Sequence, residues 1–328
     1  MTTIGPKIRR SLRSAVCTPL HILLNRIDPP VIVLLYHRVA TLASDPEMLA
    51  VTPENFRAQL LHLKENHQLV RFEEDWTKKT KPAVAITFDD GYADNVLQAL
   101  PIIEEVGVPA TFFVSTGAIG STREYWWHEL ERLILGVRIL PPRFTMEDGS
   151  GGRSWPSATL RERREFYHGM VRLMNDTDAE HRNNRLAQLR IWAGAEPAPA
   201  GTHRAMTVEE LRLLDGSSRV TIGAHTVTHT RLSSLTADAQ REEIMASKRQ
   251  LETWLGHEIP VFSYPFGRRC EYTKESIALC REAGFSKAAA NFPGQAHRWT
   301  DQYQIPRHLV RDWPVKLFAE KLRGFWSR

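Results

Sequence analysis

The sequence predicts a parallel α/β fold, on three observations. Short runs that are apolar at nearly every position, "VIVLLY" and "AVAITF" above all, suit strands covered on both faces. Stretches of helical length separate such runs, in the strand, helix, strand order of parallel sheets. Polar or turn residues gather where the strands end, as in "VLLYH", "ITFDD", "TIGAHT" and "FSYPFG". Both an open sheet and a barrel satisfy this pattern.

In chain order, "VIVLLYHRV" after "DPP" is the first buried strand, ending at Tyr36 and His37. "TPENFRAQLLHLKENH" follows as a helix with Thr52 as N-cap and Pro53 at the first helical position, its apolar face made of Phe56, Leu60, Leu61 and Leu63. Strand "AVAITF", helix "YADNVLQALPIIEEVG" and strand "PATFFVS" come next. From about residue 120 to 206 the alternation breaks. "WWHELERLILG" reads as an amphipathic helix, while "RERREFYHGMVRLM" and "HRNNRLAQLRIWAG" are basic and helical, so an inserted helical subdomain or lid is expected there. The rhythm resumes with helix "TVEELRLLDG", strand "VTIGAH", helix "DAQREEIMASKRQLETWLG", strand "VFSYPFG", helix "TKESIALCREAG" and strand "KAAAN". The expected layout is a basic segment over 1–30 and one α/β domain over 31–328, interrupted by the insertion.

Charge and cysteine content narrow the function classes. The 43 basic and 38 acidic residues leave +5, concentrated in part at the N-terminus, where Lys7, Arg9, Arg10, Arg13 and Arg26 face only Asp28. Such a segment is either a solvated arm or a contact for an anionic membrane surface or an acidic polymer. The rest is nearly balanced and carries no nucleic-acid-binding motif, so no nucleic-acid partner is expected. Three cysteines without a C-x-x-C pair build no disulfide framework. Thr18, Pro19 and His21 interrupt the only leader-like apolar segment, and "VIVLLY" is far shorter than the ~20 residues that span a bilayer, so a cytoplasmic protein is expected.

The chemistry concentrates at the strand ends. "GAHTVTH" places His225 and His229 four residues apart after a strand, a spacing that brings two imidazoles to one ion if the chain turns helically there. Alone, such a pair equally suits an exposed turn. "TFDDGYADN" adds the adjacent acids Asp89 and Asp90, whose mutual repulsion is relieved when one holds a cation and the other serves as base. An N-cap pair before a tight turn at Gly91 is the alternative.

Taken together, "TFDDGYADN", "PATFFVSTG", "GAHTVTH" and "YPFG" closely resemble the motifs of the polysaccharide deacetylases of carbohydrate esterase family four, which share the NodB homology domain. The resemblance covers residues 82–118 and about 205–310, and the "YHRV" segment with the helical insertion is similar to a bacterial subgroup linked to exopolysaccharide synthesis. It implies a distorted parallel (β/α) barrel, usually of seven strands. It also implies that Asp89 is the catalytic base and that Asp90, His225 and His229 hold a divalent metal ion, zinc first. By the same resemblance the backbone N–H of Phe266 stabilises the oxyanion.

The motifs depart from the family in two places. Where many members have Arg-x-Pro-Tyr this chain has "SYPFG", so the arginine that orients the base is missing; Arg307 is the candidate replacement, or else a surface residue. No Leu-x-His triplet supplies a general acid near the C-terminus. His308 lies near that place, though expected to be exposed, and His37 is the other candidate for proton donor or orienting group. Trp126 and Trp127 are either a sugar-stacking wall or core, Tyr92 is expected to line the pocket, and Trp313 either closes its far side or packs. The implied reaction is removal of N-acetyl groups from a sugar polymer, oligosaccharide or glycolipid. A deformylase or other amidase on a lipid-linked amino sugar, and a carbohydrate-binding module without catalysis, are the alternatives.

Overall fold

The computed structural model describes residues 25–121, 123–136, 139–146, 152–196 and 201–326. The basic run from Lys7 to Arg13 lies outside them. The barrel is built from β1 (Val31–Tyr36), a short parallel pair β2 (Arg38–Val39) and β3 (Ala50–Val51), α1 (Pro53–Asn66), β4 (Gln68–Leu69), β5 (Ala83–Phe88), α2 (Leu100–Val106) and β6 (Ala110–Val114). The inserted stretch holds α3 (Trp126–Ile134), β7 (Arg143–Met146), β8 (Arg153–Pro156), α4 (Leu160–Asn175) and α5 (Ala179–Ala193). The barrel then continues with α6 (Val208–Asp215), β9 (Val220–Ala224), α7 (Ala237–Leu255), β10 (Val261–Ser263), α8 (Lys274–Glu282), β11 (Lys287–Ala289), β12 (His308–Leu309) and α9 (Val315–Phe325).

Seven strands pair in the order β11-β10-β9-β6-β5-β1-β12, all parallel, and β4 adds to the start of β5. A parallel bridge between Ala289 and Ile305, just ahead of β12, curls the far edge back towards the first strand. This is the parallel (β/α) barrel that the motifs imply. Period-two geometry explains why β1 and β5 are apolar throughout. Ile32, Leu34, Tyr36, Val84, Ile86 and Phe88 face the helices, while Val31, Val33, Ala83 and Ala85 fill the interior with Phe113, Val261, Ala289 and Ile305. The interior is tight at β9. A Cβ on Gly223 would lie 2.5 Å from Cδ1 of Phe113. Gly223→Ala is therefore expected to cost about 1–3 kcal/mol, read as a lower urea midpoint at unchanged slope.

Several local expectations change. Thr52 does cap α1, accepting from the Asn55 N–H, with Pro53 in the first turn. Leu61, however, is 42% exposed, because it lies off the single face that buries Phe56, Gln59, Leu60 and Leu63. The helix after Gly91 begins as a π turn at Asn95–Ala99 before α2. The inserted stretch is not wholly helical, since β7 and β8 form an antiparallel hairpin.

That stretch has its own apolar cluster, including Leu130, Leu133, Phe144, Phe166, Met170 and Leu189. A buried polar network ties it to the barrel. Arg38 pairs with Asp94 (2.8 Å) and donates to Nδ1 of His203 (2.7 Å), and Nε2 of His128 meets the Tyr92 hydroxyl (2.9 Å). Burial, then His128 and Arg38 beside it, pushes the His203 imidazole down to about 4. An unfolded histidine takes its proton near pH 6.5, so stability falls as pH drops from about 6.5 through 4. His203→Gln is expected to flatten that limb in urea melts at stepped pH; equal slopes in both proteins would contradict it.

Candidate metal and catalytic site

The tandem acids diverge because the backbone turns sharply between them and the helix. Asp89 still continues the ladder, its N–H donating to the Tyr36 carbonyl (3.0 Å). Asp90 and Gly91 then take left-handed conformations, φ 80° and 88°. At Gly91 a side chain would both be strained and meet Val114 at 3.0 Å. For an aspartate the conformation is uncommon and characteristic of functional positions.

Asp89 is locked into place. Arg307, fully buried rather than on the surface, donates both terminal nitrogens to its carboxylate at 2.7 and 2.6 Å. The guanidinium is itself fixed by the Ala290 carbonyl (2.8 Å) and the Ser263 hydroxyl (2.8 Å). Arg307 thus reaches Asp89 from the approach to β12, whereas "SYPFG" carries no arginine. Burial works to raise the Asp89 pKa, but Arg307 foremost, then His225, hold it below the ordinary carboxylate value.

Asp90 faces the histidines instead. Its Oδ1 lies 3.3 Å from Nε2 of His229 and 3.6 Å from Nε2 of His225, and one donor atom from each of the three residues falls within 4.8 Å of the others. His225 uses Nδ1 to donate to the Ser263 carbonyl (2.7 Å), which leaves Nε2 with its lone pair towards the cluster. The two imidazoles do not meet through a helical turn. The chain from His225 to His229 is a loop with positive φ at Thr226 (61°) and His229 (51°). Glu243 of α7 holds that loop, accepting from the N–H groups of Val227 and Thr228 at 2.9 Å each. Nothing in the sequence around Glu243 signals this support, since it comes from a helix face far along the chain.

The donor set fits a divalent cation. Asp90 Oδ1 is buried without a hydrogen-bond partner, although two imidazole nitrogens point at it. Such an orphaned carboxylate oxygen is costly unless a charge satisfies it. Two imidazoles and one carboxylate leave coordination positions open, as catalytic sites require. Burial pushes the His229 imidazole down to about 3, which keeps it neutral and able to ligate.

The remaining candidates separate. His37 is half-buried beside both acids in the cavity, with Nδ1 unpartnered. Phe266 has φ 59° and sets its ring 4.8 Å from that of His229 on the cavity wall. His308 is buried rather than exposed: Nε2 meets the Gly294 carbonyl (2.9 Å) and the ring stacks on Phe325, outside the cavity lining. Tyr92 likewise does not line the cavity. It is wholly buried, accepting from Nε1 of Trp127 at 2.7 Å. Trp126 and Trp127 are more than nine-tenths buried, yet both border the cavity, and Trp127 lies 5.0 Å from the His229 ring. Trp313 packs against the main core.

Comparison with known proteins places this geometry. The sequence profile of the polysaccharide deacetylase family matches residues 77–136 and 198–288, skipping the stretch that carries β7, β8, α4 and α5. YxkH of Bacillus subtilis (strain 168), provisionally named a polysaccharide deacetylase, is 22% identical over 286 residues, 85% of this chain and 70% of that protein. The fold is similar to that of Streptococcus pyogenes deacetylase PplD, solved in complex with acetate (TM-score 0.58, 16% identity, 92% of this chain and 100% of that one). IcaB from Ammonifex degensii is alike to the same degree (TM-score 0.59, 17% identity, 92% and 98%). At these identities the likeness to the solved structures is one of fold. Profile, relative and fold agree, and the chain belongs to the polysaccharide deacetylase family, as a hydrolase of deacetylase type.

Proposed function

We propose that the protein removes N-acetyl groups from an amino-sugar glycan, with a divalent cation, zinc first, held by Asp90, His225 and His229. The observation that carries this reading is the split between neighbouring acids: Asp89 clamped by Arg307, Asp90 left open towards two imidazoles. A bound cation would supply Lewis-acid polarisation of the acetyl carbonyl and a more acidic water. Asp89, kept charged by Arg307, takes the proton of the attacking water. The backbone N–H of Phe266, turned at the cavity rim, is assigned to the developing oxyanion. His37, beside both acids with Nδ1 free, is assigned to the proton that the departing amine requires.

The test is acetate release from N-acetylglucosamine oligomers by protein whose metal content has been measured, run beside formate release from N-formyl analogues. Acetate with about one zinc per chain is expected. Metal-loaded protein that releases only formate would move the reading to a deformylase. Chelation should abolish release and added zinc should restore it; undiminished release from metal-free protein would end the metal assignment.

A further inference from the structure

Resting on that reading, we infer that the substrate presents a chain end to this site, and that the interior residues of a long polymer are excluded. A groove that a polymer threads must be open at two ends. Here the cavity above Asp89 and Asp90, about 530 Å³, lies between α4 on one side and the loops after β10, β11 and β12 on the other. Its volume is that of pockets enclosing small ligands. Both ends between these walls are tied across.

At one end Asp176, at the C-terminus of α4, pairs with Arg231 in the loop after β9, and Arg231 reaches on to Glu271 after β10 (3.6 Å). Arg182 of α5 adds a bond to the Thr228 carbonyl (2.7 Å). At the other end Tyr167 of α4 lies against the Glu47 carboxylate, and the Glu47 carbonyl accepts from Arg311, just beyond β12 (2.7 Å). Each strap therefore runs from the inserted helix to the opposite wall. One strap reaches the loop between β2 and β3, in the segment that follows β1, and the other the loop after β9; β5 and β6 separate β1 from β9 in the sheet, so α4 spans the side of the mouth where Asp89 and Asp90 stand. The result is a cup. An amino sugar at the end of a short chain or glycoconjugate can lower its acetyl group into it, with the chain leaving upward.

Binding is measured first, with zinc-loaded D89N and calorimetry, so that turnover is not needed. The N-acetylglucosamine pentamer and a long soluble N-acetylated chitin are compared at equal total sugar. A cup predicts that apparent affinity per sugar residue falls in proportion to the dilution of chain ends. Equal affinity per residue would overturn the inference while leaving the deacetylase reading intact; no binding of either would overturn both. With the active protein, tandem mass spectrometry of the treated pentamer should show acetate lost from one terminal residue only. Loss from interior residues at a comparable rate would contradict the cup. In Asp176→Ala, which removes the tie from α4 to Arg231 at one end, the ratio of interior to terminal loss should rise, and an unchanged ratio would overturn the role of that tie.

Discussion

Asp89→Asn is expected to lower turnover by about 10²–10⁴-fold, the range a general base contributes, while zinc content stays at that of the parent protein. The carboxamide preserves the shape and can still sit against Arg307, but it accepts no proton from water. Binding of the cation is untouched because Asp89 contributes no atom to the cluster of Asp90, His225 and His229. Asp90→Asn should do the opposite first. It removes the anionic ligand, so metal content falls and activity follows. The pair of variants separates two acids that are adjacent in sequence. Wild-type turnover in the first would remove the base assignment.

Arg307→Met is the second large effect. The guanidinium is wholly buried and spends its donors on Asp89, Ala290 and Ser263. Removing it leaves a carboxylate in the interior without its counter-ion, which typically destabilises by about 3–5 kcal/mol. Urea melts of wild type and variant read this directly. The sign of the pH effect follows from the same contacts. In the wild type Arg307 opposes burial and keeps Asp89 charged below the ordinary carboxylate range. Without it burial is opposed only by the weaker pull of His225 and His37, the Asp89 pKa rises, and the acid limb of kcat/KM moves to higher pH. Arg307→Lys keeps the charge but loses the two-pronged fork, so its loss of activity should lie between the two. Unchanged stability in Arg307→Met would show that the clamp contributes little.

Strands β1, β5, β6, β9, β10 and β11 were legible because each is a short apolar run followed by a polar end, and the parallel sheet converts that one-dimensional pattern into a shared mouth; β12, only His308–Leu309, carries no such run. The capping of α1 was equally readable, since Thr52 and Pro53 act locally. What escaped the sequence is non-local. Arg307 joins Asp89 across 218 positions, and only closure of the sheet from β11 towards β12 brings them together. Surface and core readings of an arginine beside a proline are indistinguishable until that closure is known. His308, one residue later, points the other way and stacks on Phe325, because alternate residues of a strand face opposite sides. The loop from His225 to His229 carries no helical signal to correct, and its left-handed residues are a threonine and a histidine rather than glycines. Glu243, which holds that loop, looks like any solvent-facing acid of α7. Likewise the hairpin β7–β8 lies between the segments that read as helices, in an insertion expected to be helical.

The most direct test of the account is anomalous diffraction at the zinc edge from zinc-soaked crystals of the protein. One strong peak is predicted, at about 2.0–2.2 Å from an oxygen of Asp90 and from Nε2 of both His225 and His229, with Asp89 clear of it and still paired to Arg307. A peak bound elsewhere, or none at this cluster in zinc-saturated crystals, would contradict it.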